Sequence, residues 1–98
     1  MINARRKGKN TELEIANAVK GQRIGYLHKS KADVVTGTES DGNAYQVKAD
    51  KGISWPALVK ELDDLTKDGI RPRNFLAVKK VRGRWLIIET LEQHIKNV

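Results

Sequence analysis

Apolar residues recur along this chain with two periods, about 3.6 and 2, and the change from one to the other divides it into helices and strands. From Thr11 to Lys20, TELEIANAVK, the residues Ile15, Ala16 and Val19 fall on one helical face. Asn10 is positioned to cap this helix and Gly21 to end it. Glu12 projects from the middle of the apolar face, whereas Glu14 projects nearly opposite. The helix dipole accounts for an acid in a first turn, but not for its inward placement. Gln22 to Ser30 and Ala32 to Thr38 read as strands, with Ala44 to Ala49 as a third. The polar turn between the last two contains Asp41-Gly42, a hairpin signal. Ser54 to Asp68 reads as a helix with Ser54 as its cap and Pro56 in its first turn. Its buried stripe is Trp55, Leu58, Val59, Leu62 and Leu65, and Gly69 ends it. Asn74 to Val81 and Trp85 to Glu89 are strands joined by the basic turn Arg82-Gly83-Arg84. Thr90 to Gln93 forms a capping box for a short helix from Leu91 to Asn97.

Helix, three strands, helix, two strands, helix is an α/β order, and it predicts a central mixed five-stranded sheet flanked by helices in one domain. Composition narrows the partners. The 98 residues carry a net charge of +7, which favours a polyanion, nucleic acid first. With no cysteine there is no disulfide frame, thiolate metal site or cysteine nucleophile. No apolar run approaches the ~20 residues of a membrane span, and the basic start has no apolar stretch behind it to make a signal peptide. A cytoplasmic protein without a membrane partner is expected.

The chemistry concentrates between Ala32 and Asp50. In a strand Asp33 shares a face with Val35, and Gln46 shares one with Lys48 and Asp50. Pairing the two strands brings an acid, an amide and an amine together, with Tyr45, Val47 and Ala49 on the opposite face. Phosphodiester hydrolysis uses a divalent cation and an activated water. Asp33, the amide oxygen of Gln46 and the carbonyl of Val47 are oxygen ligands of the kind magnesium takes. Lys48 can orient the water or neutralise charge growing on phosphate. Glu12 is positioned to hold a metal-bound water or a second metal. Arg5, Arg6, Lys7 and Lys9 form a basic arm suited to phosphate contact. His28 and His94 lack a metal-like spacing, Trp55 and Trp85 read as core or dimer contacts, and Asp63-Asp64 reads as a solvent face.

Asp33 with Gln46-Val47-Lys48, after a helix carrying an inward Glu12, resembles the PD-(D/E)xK nuclease superfamily. Arg6-Lys7-Gly8 followed by Glu12, Ser30 three residues before Asp33, and Leu76-Ala77-Val78-Lys79 with Trp85 are similar to archaeal-type Holliday junction resolvases. The resemblance runs from about Arg5 to His94. It implies a restriction-endonuclease-like αβββαβ core and a homodimer that nicks four-way DNA junctions with magnesium or manganese, leaving 5′-phosphates. It also implies a catalytic set of Glu12, Asp33, Gln46 and Lys48 with Ser30 as a further member, and DNA contacts from the basic arm and Lys51. The resolvases usually carry Glu where this chain has Gln46, whereas Mrr-like enzymes carry Gln. A neutral amide is the weaker magnesium ligand, so lower metal affinity and a preference for manganese are expected. The variant motif also keeps two other readings open: an Mrr-like or phage accessory nuclease acting on other DNA, and a catalytically decayed DNA-binding module.

Overall fold

A computed structural model of the chain describes residues 3–24, 31–49, 54–79 and 84–96. Its elements are α1 (Asn3–Val19), β1 (Gln22–Arg23), β2 (Val34–Thr36), β3 (Asn43–Lys48), α2 (Trp55–Asp68), β4 (Arg73–Lys79), β5 (Trp85–Ile88) and α3 (Leu91–Lys96). The strands form one sheet in chain order, β1-β2-β3-β4-β5. Only β3 and β4 run parallel; the other neighbours are antiparallel. α2 supplies the crossover that a parallel pair needs. The architecture is therefore α/β, a mixed five-stranded sheet with three helices. Among the described residues no helix is long and apolar enough to cross a membrane.

Alternation along the strands assigns each helix to a face. Val34 and Tyr45, with Phe75 and Ala77, pack against Ile15 and Ala16 of α1. Val35 and Ala44 pack against Leu65 of α2, while Leu76 and Val78 pack against Leu58 and Leu62. Tyr45 and Phe75 stack at 5.3 Å between ring centroids, across the parallel pair.

α1 starts at Asn3, so Asn10 lies inside the helix and does not cap it. Arg and Lys are good helix formers, and Gly8 alone costs about 1 kcal/mol, too little to stop a helix anchored by Ile15 and Ala16. The basic arm is thus helical in its backbone. The helix ends at Lys20, whose φ of 57° is left-handed, rather than through Gly21. Gly21 serves packing instead: a Cβ there would lie 2.6 Å from the Val35 carbonyl oxygen.

α2 follows its sequence signals more closely. The Ser54 hydroxyl accepts the Ala57 N–H at 3.4 Å, and Gly69 ends the helix at a φ of 62°. Leu58, Leu62 and Leu65 are buried, but Trp55 and Val59 are 70% and 58% exposed. The expected stripe was too wide. Three leucines cover the strands beneath α2, and the flank carrying Trp55 and Val59 faces outward beyond them.

β2 and β3 form the hairpin that Asp41-Gly42 signals, but the connection starts earlier than the expected Glu39. Thr36 pairs with Asn43, so the loop is six residues, Gly37 to Gly42, with Gly37 left-handed at φ 65°. Gly42 is there for space. A Cβ on it would run into the Thr36 carbonyl oxygen and come within 2.6 Å of that of Thr38. Arg71 locks the loop by donating to the Thr36 carbonyl at 3.3 Å and the Gly37 carbonyl at 3.4 Å. Gly42→Ala is expected to lose about 2–4 kcal/mol in urea unfolding. A loss within ~0.5 kcal/mol would mean the loop opens freely.

The last helix forms half of its expected capping box. Thr90 accepts the Gln93 N–H at 3.1 Å. The Gln93 side chain turns to Asn74 instead, accepting its N–H at 2.7 Å and donating to its carbonyl at 3.1 Å. Asn74 lies past the end of the β4–β5 ladder, where its backbone needs partners. Gln93 also donates to Glu89 at 2.9 Å, and this bond, with His94 nearby, holds the Glu89 carboxyl below its usual range.

Candidate active site

The site is built where β2 begins and β3 runs on past it. Asp33 occupies the bend before Val34, and its own N–H donates to the Tyr45 carbonyl at 2.8 Å. Its Oδ2 accepts the Val47 N–H at 2.8 Å, satisfying a β3 group that β2 is too short to reach. The carbonyl of Val47 faces the same edge, because a strand residue presents both backbone groups to one neighbour.

Around Asp33 the two faces of the sheet each contribute a charge. Glu12 comes from α1, on the Tyr45 face, and is half-buried. Lys48 has the parity of Ala44, so it turns to the opposite face, toward α2. There its ammonium lies 3.6 Å from the Glu61 carboxylate. The hairpin was expected to gather acid, amide and amine on one face. The register agrees: Asp33 falls across from Gln46, Gln46 and Lys48 share the α2 face, and Glu12 approaches Asp33 from the α1 side. The open margin at the start of β2 makes that meeting possible.

Electrostatics bind the group together. Burial raises the Asp33 carboxyl from 3.8 to about 6, and the negative charge of Glu12 adds to the rise. The Val47 N–H, Lys48 and Arg23 work against it. Arg23, the last residue of β1, donates to Glu12 at 2.7 Å, so the buried-side acid has a cation of its own.

Gln46 lies across the extended register from Asp33, on the α2 face, and is 8% exposed. Its Oε1 is buried without a hydrogen-bond partner among the described residues. An orphaned amide oxygen is costly unless something donates to it or a cation binds it. Asp33, Gln46 Oε1 and the Val47 carbonyl are hard oxygen donors, and the set fits a magnesium or manganese ion that retains several waters. Among the described residues no group of three or more His, Asp or Glu side chains is placed to hold a metal. Position 46 carries an amide, and Glu12 is engaged by Arg23.

Comparison with known proteins adds no assignment. No family model, curated protein or solved structure matches this chain.

Ser30 and Lys51, together with His28 and Asp50, lie outside the described residues. Arg5, Arg6, Lys7 and Lys9 are described by backbone alone, on the first turns of α1. Two neighbours of the site escaped sequence reasoning. Arg23 gave no signal, since one basic residue on a strand of a basic protein is unremarked. Glu61 was legible in principle: three residues after Leu58 and next to Leu62, it flanks the buried stripe of α2.

Proposed function

We propose that this chain is a metal-dependent, structure-selective DNA endonuclease of restriction-endonuclease-like fold, acting as a homodimeric Holliday junction resolvase. The observation that carries the reading is Asp33 at an open strand end, within the fields of both Glu12 and Lys48. The net charge of +7 supports a DNA partner, in an intracellular, cytoplasmic setting of recombination and repair.

Asp33, Gln46 and the Val47 carbonyl would hold magnesium or manganese. The ion supplies Lewis acidity toward phosphate and a readily deprotonated water. Lys48 places a positive charge where negative charge grows on the phosphoryl oxygens. Glu12, one of whose oxygens accepts a hydrogen bond from Arg23, would serve as a proton acceptor for water.

The test is a synthetic four-way junction with magnesium or manganese. Lys48→Ala is expected to lower the cleavage rate by at least about a hundredfold. Junction affinity should fall steeply with salt, because phosphate contacts release counterions. Faster cutting of linear duplex than of junctions would move the assignment to an Mrr-like nuclease. One observation favours a second reading, a DNA-binding module without catalysis: Gln46 leaves the site without a third acid. That reading requires tight, salt-sensitive binding and no product with either metal.

A further inference from the structure

Glu12 already has a cation that belongs to the chain. Its Oε1 accepts the Arg23 Nε–H at 2.7 Å, the short distance of a charge-assisted bond. The Arg23 and Glu12 side chains are only 29% and 21% exposed, so water screens the pair weakly. Secondary structure fixes both ends. Glu12 lies one turn before Ile15 and Ala16, which pack α1 against the sheet. Arg23 ends β1 opposite Val34, and the next residue, Ile24, donates its N–H to the Asp33 carbonyl at 3.1 Å. The charges of Arg23 and Glu12 both act on the Asp33 carboxyl. Arginine does not deprotonate in proteins, so its guanidinium is a permanent positive charge in the field of two acids.

Two-metal phosphodiester sites hold their ions ~3.5–4 Å apart. Here the donors divide unequally. Asp33, Gln46 and the Val47 carbonyl suit one ion. A second ion would need Glu12, and to reach it would have to break the bond to Arg23 and sit against a like charge. The charge of the site points the same way. Glu12, Asp33 and Glu61 against Arg23 and Lys48 leave one net negative charge. One divalent ion turns that into one net positive charge, and a second would leave three. We propose that Arg23 stands in the place of a second cation, so that the site takes one magnesium or manganese ion and Glu12 is not among its ligands. The inference rests on the metal-dependent reading and adds the number of ions and the residue that fixes it. Arg23 is a positioning residue: it keeps Glu12 a proton acceptor for water rather than a metal ligand.

The test counts ions. Aqueous manganese gives a sharp electron paramagnetic resonance signal that is lost on binding, so titration of the full chain without DNA measures the number bound. The wild type is expected to bind one per chain. Arg23→Gln frees Glu12 and should bind two, with spin coupling between ions ~3.5–4 Å apart. Arg23→Lys keeps the charge and should stay at one. Adding Glu12→Gln to Arg23→Gln should bring the count back to one. Glu12→Gln alone leaves Arg23 in place and should also bind one, so the wild type and this variant decide the matter even if Arg23→Gln fails to fold. Two ions in the wild type, none in Glu12→Gln, two in Arg23→Lys, or one in a folded Arg23→Gln overturns the proposal. A wild type that cuts DNA with two ions bound keeps the nuclease reading and removes this inference. One bound ion with the expected variants and no product does the reverse. A wild type that binds no manganese removes both.

Discussion

Asp33→Asn is expected to abolish cleavage and, at neutral pH, to make the protein more stable. The two effects have one cause. Burial and Glu12 raise the Asp33 carboxyl from 3.8 to about 6 in the folded chain. Between these values the folded state binds more protons than the unfolded state, so stability falls as pH rises through this window and levels off above it. The shift corresponds to about 2–3 kcal/mol at pH 7 and above. Asparagine carries no charge and its Oδ1 still accepts the Val47 N–H, so the variant should lack that pH dependence and gain most of that amount. Urea unfolding at a series of pH values from 4 to 8 measures it. The activity loss should exceed about a hundredfold, because Asp33 is the one carboxylate proposed to hold the metal. Magnesium or manganese should raise the Tm of the wild type at neutral pH, through preferential binding to the folded state, and leave that of Asp33→Asn nearly unchanged. If Asp33→Asn is instead destabilised across the range, Asp33 is a structural cap and the site assignment fails.

Gln46→Glu should act in the opposite sense. Position 46 is buried, lies across from Asp33, and holds an oxygen without a partner among the described residues. A carboxylate there adds a second buried charge beside the first, and without metal it should cost about 2–4 kcal/mol at neutral pH. Divalent cation should restore the loss, since an added carboxylate ligand binds magnesium more tightly than an amide does. Faster cleavage in magnesium would identify the wild-type site as one limited by metal affinity. Destabilisation that no cation relieves, with no product, would mean that position 46 lies off the metal path and would favour the binding module.

Much of the fold was legible because its signals are local. Ser54, Gly69 and the leucines 58, 62 and 65 mark α2 by spacing and chain conformation alone. That the sheet is mixed followed from the hairpin-linked strands and the crossover helix, which joins the parallel pair β3 and β4. The misreadings share a physical origin. Asn10 looked like a cap because capping propensity ignores whether the preceding residues also favour helix. The strand before Asp41-Gly42 was expected to run to Thr38, yet it ends at Thr36, where Gly42 must be small because two carbonyls crowd it across the loop. Trp55 and Val59 looked buried because periodicity gives the direction of an apolar stripe but not the width of what it covers.

The candidate site divides along the same line. The sequence alone determined which residue types are present, their order, and the parity that separates Gln46 and Lys48 from Tyr45 and Val47. Parity is a property of one strand and needs no partner. Where those side chains meet depends on how long each strand is and on which face each helix packs, and both are settled by long-range burial. Tertiary structure placed α1 and α2 on opposite faces and stopped β2 short of Val47. It thereby drew Glu12 and Lys48 to Asp33 from two sides and brought in Arg23 and Glu61 as their partners.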